Sequence, residues 1–169
     1  MSSWLPRTTC SRNRTTRGWS TNGPWLKAES FIMPRDHFPG SPQEWMQRAR
    51  ASLALAKADQ VPGILLEDLC YQAQQSAEKA LKALYLCLGS PFPFVHSLDQ
   101  LLAGLEDLGV LVPEDVDQAI VLTRYAVETR YPGVYERVEV EEHQEAIRHA
   151  EIVLAWVEIQ MNRRGIQTP

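Results

Sequence analysis

Apolar positions recur along most of this chain with the spacing of helices, and the pattern stops wherever Pro and Gly cluster. After Pro39-Gly40, Ser41-Pro42-Gln43-Glu44 has the form of a helix start. Ser41 is the N-cap, Pro42 takes the first helical position, and Glu44 completes a capping box. Trp45, Ala49, Ser52, Leu53 and Ala56 then mark one face of a first helix running to about Asp59, and Val61-Pro62-Gly63 breaks it. A second helix is expected from about Leu65 to Leu88, ended by Gly89. Its stripe is Leu66, Leu69, Cys70, Ala73, Ala77, Ala80, Leu81, Leu84 and Leu88, and the three alanines let a neighbouring helix come close. Gly89-Ser-Pro-Phe-Pro-Phe94 reads as a loop, because its prolines are spaced too closely for helix.

A third helix, from about Ser97 to Leu108, shows Leu98, Leu101, Leu102, Leu105 and Leu108 on one face, and Gly109 ends it. Pro113-Glu114-Asp115 opens a fourth, with its acids at the positive end of the helix dipole. The α-helical face of this fourth helix would be Val116, Ala119, Ile120, Thr123 and Val127, and the helix must end before Pro132. A fifth begins near Val140–Glu142 and carries Ala146, Ile147, Ala150, Val153, Leu154 and Val157 as far as Arg163-Arg164-Gly165. No stretch alternates with period two for long enough to build a sheet. The expected fold class is all-α: an antiparallel up-and-down bundle of four to five helices over residues 41–163, with 164–169 as a tail.

Composition sharpens this picture in three places. The chain has 169 residues, of which 44% are hydrophobic and 22% charged, which suits one globular domain with a real core. No apolar run approaches a bilayer span, so no membrane segment is expected. Residues 1–32 hold five cations against Glu29 alone, a net of +4, which leaves −8 for the remainder of a chain whose formal charge is −4. This opening is rich in Ser, Thr, Arg and Asn and carries Trp4, Trp19 and Trp25 without helical period. Residues 1–40 therefore read as a disordered basic tail, or as sequence preceding a true start at Met33. Cys10, Cys70 and Cys87 form no metal-ligand spacing, and the latter two sit among apolar neighbours, as reduced thiols of a cytoplasmic protein do.

The densest chemistry lies in Arg124-Tyr125-Ala-Val-Glu128-Thr129-Arg130-Tyr131-Pro132-Gly133. Guanidinium groups are rigid, permanent donors suited to phosphate, and tyrosines add a flat face and a hydroxyl. Two such pairs in an acidic chain fit either a ligand site or a buried polar network. In the network reading, Arg124 pairs with Glu128 four residues on, and Glu78 faces inward among the alanines to receive Arg124 or Arg130. Lys79 and Lys82, with Gln72 and Gln75, form a wet helix face that matters only if it borders the Arg-Tyr segment.

Tyr71-Gln-Ala-Gln-Gln-Ser-Ala-Glu78-Lys79-Ala-Leu-Lys82-Ala-Leu, a Gly-Pro loop, His96-Ser-Leu-Asp-Gln-Leu-Leu and Thr129-Arg130-Tyr131-Pro132 together resemble the prokaryotic HEPN domain. The likeness covers roughly Ser41 to Asn162. It implies a helical bundle that forms a homodimer and associates with a minimal nucleotidyltransferase, often as a toxin–antitoxin pair. Active members of the family are metal-independent RNases that carry Arg, four to six residues, then His, with a Tyr two positions further. Arg124 and Tyr131 match the arginine and the tyrosine, but Thr129 stands at the histidine. The resemblance also implies, more weakly, that Tyr131 is the tyrosine the partner enzyme modifies with AMP.

A threonine hydroxyl neither accepts nor donates the protons that metal-free RNA cleavage moves at neutral pH. The expected role is therefore binding of a nucleotide, RNA or a nucleotidyltransferase partner, with Arg124, Arg130, Tyr131, Tyr125, Glu78 and Lys79 as ligand-binding residues. A weakened metal-independent endoribonuclease using Arg124 and Arg130, and a purely structural subunit, are the alternatives. Arg137 to His143 repeats the Arg-and-His spacing by coincidence, on a solvated helix start among carboxylates. His96 is expected to hold its loop or cap the third helix, and His37 and His149 to lie at the surface. No Gly-rich phosphate loop, metal motif or other cofactor signature is present, so neither metal nor cofactor is expected.

Overall fold

The computed structural model describes residues 40–59, 61–126 and 137–166. Most of the basic tail expected over residues 1–40, with Met33 and His37, lies outside this range, as do Glu128, Thr129, Arg130 and Tyr131. Within it the chain is all-α: α1 (Pro42–Ala56), α2 (Leu66–Cys87), α3 (Leu98–Asp107), a short α4 (Glu114–Asp117) continued by a 3₁₀ segment (Gln118–Ala126), and α5 (Val140–Arg163). α1 opens as its sequence dictates. The Ser41 hydroxyl accepts the Glu44 N–H, and the Glu44 carboxylate accepts the Ser41 N–H. α2 and α3 close with Gly89 and Gly109 in the left-handed region, at φ 69° and 81°. That turn lets Ser90 N–H reach back to the Tyr85 carbonyl and Val110 N–H to that of Leu105.

α2 is the centre of the bundle and packs against α1, α5, α3 and the 3₁₀ segment. Ala73, Ala77 and Ala80 are fully buried, facing a bundle in which Ala49 and Ala56 of α1 and Ala150 of α5 are equally sealed. Small residues on all three helices allow the close axial approach that their spacing predicts. Burial is not confined to that stripe: Gln74, Ser76, Glu78, Lys82 and Tyr85 of α2 are buried too. The wet face expected around Lys82 is therefore corrected. Gln72, Gln75 and Lys79 remain half-buried, so only the Lys82 end of that face is dry.

The fourth helix departs from the α-helical expectation after Asp117. Val116, Ala119, Leu122 and Tyr125 are buried at intervals of three, while Ile120 and Thr123 are only half-buried. Three residues per turn is the 3₁₀ period, and it aligns these four side chains in one row where the 3.6 period would not. Smaller corrections follow the same logic of orientation. Met46 is fully buried where Trp45 was expected to lead the α1 face, and Leu108, past the end of α3, is 44% exposed.

The histidine assignments also change. His143 is buried, and its Nε2–H donates to the carbonyl of Ala56, the last residue of α1, at 2.8 Å. It closes an otherwise open helix C-terminus from α5, which is a structural task. His149 is buried as well, on the face of α5 shared with Ala150 and Val153 and 3.3 Å from Glu145. Arg50 of α1 and Glu158 of α5 add a half-buried pair at 2.8 Å.

A tight approach between α2 and α3 gives a test of packing. Tyr85 donates its hydroxyl to the Leu101 carbonyl at 2.8 Å, and a Cβ on Gly104 would overlap that hydroxyl oxygen. Gly104→Ala, favourable for an isolated helix, is expected to destabilise the protein by about 1–3 kcal/mol through overpacking. Adding Tyr85→Phe should recover part of that loss although it removes a hydrogen bond. Urea denaturation of the four proteins of this cycle reads the coupling, and simple additivity would refute the steric account.

Candidate functional site

α2 carries Cys70, Gln74, Glu78 and Lys82 at intervals of four, so these polar groups form one file through an apolar bundle. At its first end the file meets the 3₁₀ segment and α5. Arg124 lies over the Tyr125 ring, 4.7 Å from its centroid, and donates to the Tyr125 hydroxyl at 2.7 Å. That hydroxyl donates to Glu142 at 2.6 Å, and Arg124 also pairs directly with Glu142. The Tyr125 ring is buried, whereas the Arg124 side chain remains 48% exposed. One face of the guanidinium is thus fixed by a carboxylate and an aromatic ring, and the side chain still reaches solvent.

This end of the file is not a source of protons. Burial, reinforced by the hydrogen bond to Glu142, raises the Tyr125 hydroxyl far above its ordinary range against the opposing effect of Arg124. Burial likewise pushes the Cys70 thiol up to about 12, with Tyr125 and Arg124 opposing and Glu142 and Glu67 reinforcing. Both shifts disfavour the thiolate and the phenolate at this end of the file.

At its middle and far end the file meets the loop before α3. Glu78 is 4% exposed and Lys82 6% exposed, and they pair at 2.7 Å. Gln74 and Gln75 donate to the same carboxylate at 3.0 and 3.2 Å, and Gln74 also donates to the His96 carbonyl at 3.0 Å. His96 Nδ1 lies 3.2 Å from both Glu78 oxygens, yet its side chain is 67% exposed. Every strong acceptor position of the buried carboxylate is therefore occupied. Burial pushes Glu78 upward, but hydrogen bonds from Lys82 and Gln74, the Lys82 charge and His96 outweigh it, and the carboxyl titrates below its ordinary value.

The sequence-predicted residues are thus divided between two places. Arg124 and Tyr125 meet each other and Glu142. Glu78 is inward-facing as expected, but among the described residues it receives Lys82, two glutamines and His96 where an arginine was expected, and Arg124 goes to α5. Lys79 donates to Ser52 of α1 at 2.7 Å and stands on the opposite flank of α2 from Tyr125. Arg130 and Tyr131 lie outside the described residues, so their place relative to either cluster rests on sequence. Sequence reading missed Lys82, Gln74 and Glu142. The interval of four from Cys70 to Lys82 was a visible signal for the first two, while nothing local marks Glu142. Among the described residues no group of three or more His, Cys, Asp and Glu side chains is arranged to hold a metal ion, and no helix is long and apolar enough to cross a membrane.

Comparison with known proteins places this geometry in context. The sequence profile of the HEPN domain matches residues 42–160. The chain is similar to the crystal structure of TT1696 from Thermus thermophilus, with 37% identity and a TM-score of 0.61 over 70% of this chain and 97% of that one. It is also similar to that of ST0689, an archaeal HEPN homologue, at 28% identity and a TM-score of 0.57, over 73% of this chain and 99% of that one. No match was found among curated proteins.

The Glu78 network makes a prediction about pH. Because the folded carboxyl is held below its unfolded value near 4.5, its contribution to stability is complete above that value and is lost as pH falls through the folded one. Glu78→Gln should therefore flatten the acid limb of stability, measured by urea denaturation between about pH 6 and pH 3. Lys82→Met, which leaves the carboxylate buried without its cation, is expected to cost about 3–5 kcal/mol at neutral pH. Equal acid limbs in the parent and Glu78→Gln would refute this.

Proposed function

This chain belongs to the HEPN domain family, and from that premise we propose that it is a nucleotide- or RNA-binding subunit that works as a homodimer beside a minimal nucleotidyltransferase, in a pair of the toxin–antitoxin kind. The observation that carries the reading is the state of Arg124. Its guanidinium is pre-oriented by Tyr125 and Glu142 but remains 48% exposed, so a phosphate can approach a cation whose conformational freedom is already restricted. Arg124 is also the residue that matches the arginine of the family's RNase motif. Arg130 and Tyr131 extend the proposed site on sequence grounds.

Binding is preferred to catalysis because the histidine of the family's RNase motif is missing. Thr129 occupies the histidine position of the motif. His143 and His149 are buried, and His143 is consumed in closing α1. A weakened metal-independent RNase is the second reading, and one observation favours it: the exposed His96 ring is oriented by a buried carboxylate, as general bases are. The third reading, a structural subunit, draws on the Arg124–Glu142 pair as a clip between the 3₁₀ segment and α5.

These readings separate on one residue. Arg124→Gln is expected to weaken binding of a nucleotide or a short RNA about tenfold, the weight of a charge-assisted phosphate contact, with little change in melting temperature. Titration calorimetry on parent and variant measures it. A melting temperature lowered by several degrees with no ligand bound by the parent at millimolar concentration would leave only the structural role. Metal-free RNA degradation that disappears in Arg124→Gln would establish the enzyme. Co-purification from the native host tests the nucleotidyltransferase.

A further inference from the structure

The C-terminal end of α5 carries a surface that the two polar clusters leave unused. Glu142, the mate of Arg124, and Arg163 both lie on α5, about 30 Å apart along the helix. Near Arg163 a groove of about 450 Å³ opens between α5 and the connection from α3 to α4. Leu111 and Pro113 line it on one side, and Trp156, Ile159, Arg163 and Arg164 on the other.

The apolar wall is held in place. The turn at Gly109 lets the Val110 N–H reach the Leu105 carbonyl at 3.0 Å, and Val110 is 5% exposed in the core. Val112 packs against the same core. Leu111 between them is nevertheless 90% exposed, and Ile159 on the other side of the groove is 50% exposed. A single exposed aliphatic side chain is ordinary. Two that line one groove from separate elements, one of them on a backbone anchored at both neighbours, are a preorganised contact.

The charge of the groove has one sign. Arg163 and Arg164 are exposed, and no carboxylate lines the groove among the described residues. Glu142, Glu145, Glu151 and Glu158 of α5 pair with other cations, and neither arginine has an ion-pair partner among the described residues. Arg164 donates to the carbonyl and the side-chain oxygen of Gln160, at 2.8 and 3.0 Å. Its charge is felt at Cys87, where it opposes the upward push of burial on the thiol. The carbonyls that end α5 carry roughly half a unit of negative charge, so the two guanidinium charges remain in excess. Glu114 and Asp115 follow Pro113 in sequence without lining the groove, and Asp115 accepts the Val116 N–H at 3.0 Å.

We propose that this groove docks a segment of a partner protein in which carboxylates alternate with large aliphatic side chains. The apolar side chains seat between Leu111 and Ile159, and the acids meet Arg163 and Arg164. Complementary charge sets the register of such a segment, and the apolar contact supplies its anchor. Other occupants fit less well. A two-fold dimer on this face would bring the arginine pairs of both copies into one interface, like charge against like. An unpaired nucleic acid needs a stacking face, and Trp156, the aromatic residue lining the groove, is 7% exposed.

The test selects peptides of about twelve residues from a random displayed library on the immobilised full chain, then measures the best by fluorescence anisotropy. The enriched peptides should combine Asp or Glu with Leu, Ile or Phe. Leu111→Asp and the double variant Arg163→Gln/Arg164→Gln should each weaken binding at least about fivefold with an unchanged melting temperature, because these side chains are exposed. Ile159→Asp, from the other wall, should do the same, and raising salt from about 50 to about 500 mM should weaken the parent's binding. Enrichment without acidic residues, binding that survives these variants, or no peptide held at about 100 micromolar overturns the proposal. Sedimentation velocity showing a parent dimer that Leu111→Asp dissociates would assign the groove to a second copy. Single-stranded RNA bound by the parent and released by Arg163→Gln/Arg164→Gln would assign it to nucleic acid, and either result also overturns the proposal.

Discussion

The Glu78–Lys82 pair inside the bundle is the interaction on which much of the arrangement rests. Two unit charges at 4% and 6% exposure are tolerable only when each is paired and hydrogen-bonded, and the surroundings of α2 are organised to meet that demand. Gln74 is fully buried because it must donate to Glu78. The His96 carbonyl and ring are drawn towards α2 for the same reason, and they bring the Pro-rich loop with them. Phe92 then packs against the Lys82 ammonium and Trp45. An apolar pair of similar volume would relieve the desolvation cost, but it would not specify where the loop lies.

The 3₁₀ segment answers a related constraint at the other end of α2. A regular α-helix from Pro113 onward would turn Leu122 and Tyr125 away from the row begun by Val116 and Ala119. Tightening to three residues per turn keeps all four against the core, although with weaker hydrogen-bond geometry. Thr123 uses the tighter turn to accept the Leu98 N–H at 3.0 Å, which supplies the cap that Ser97 does not give α3. Arg124, next in sequence, is directed to Glu142. The segment therefore splits adjacent residues between two neighbours, Thr123 to α3 and Arg124 to α5.

Helix order, the capping box of α1, the glycine stops and the alanine stripe were legible in the sequence because each is set by residues close to one another in the chain. The 3₁₀ period was also legible in principle, since Val116, Ala119, Leu122 and Tyr125 spell it out. An α-helical template fitted to the same apolar residues hides it. The histidines were not legible. Whether His143 faces solvent among Glu139, Glu141 and Glu142 or reaches a carbonyl on α1 depends on how α5 crosses a helix 87 positions earlier. Lys82 misled for the same reason: a lysine on a helix is ordinarily wet, and only the packing of the loop over α2 makes it dry. For the candidate site, the residue types of the Arg-Tyr segment were informative, but the partner that fixes Arg124 comes from a distant helix.

Arg124 does not offer an anion its full charge. At Arg124 the cation already has a carboxylate mate, and the N-cap and first turn of α5 set Glu139 and Glu141 close in sequence to Glu142. A phosphate there must compete with a fixed negative charge and approach through an unfavourable field. The chain as a whole is acidic, which works against loose attachment to long polyanions. Recognition under those conditions has to be local, gained from a few oriented donors and a stacking face rather than from net charge.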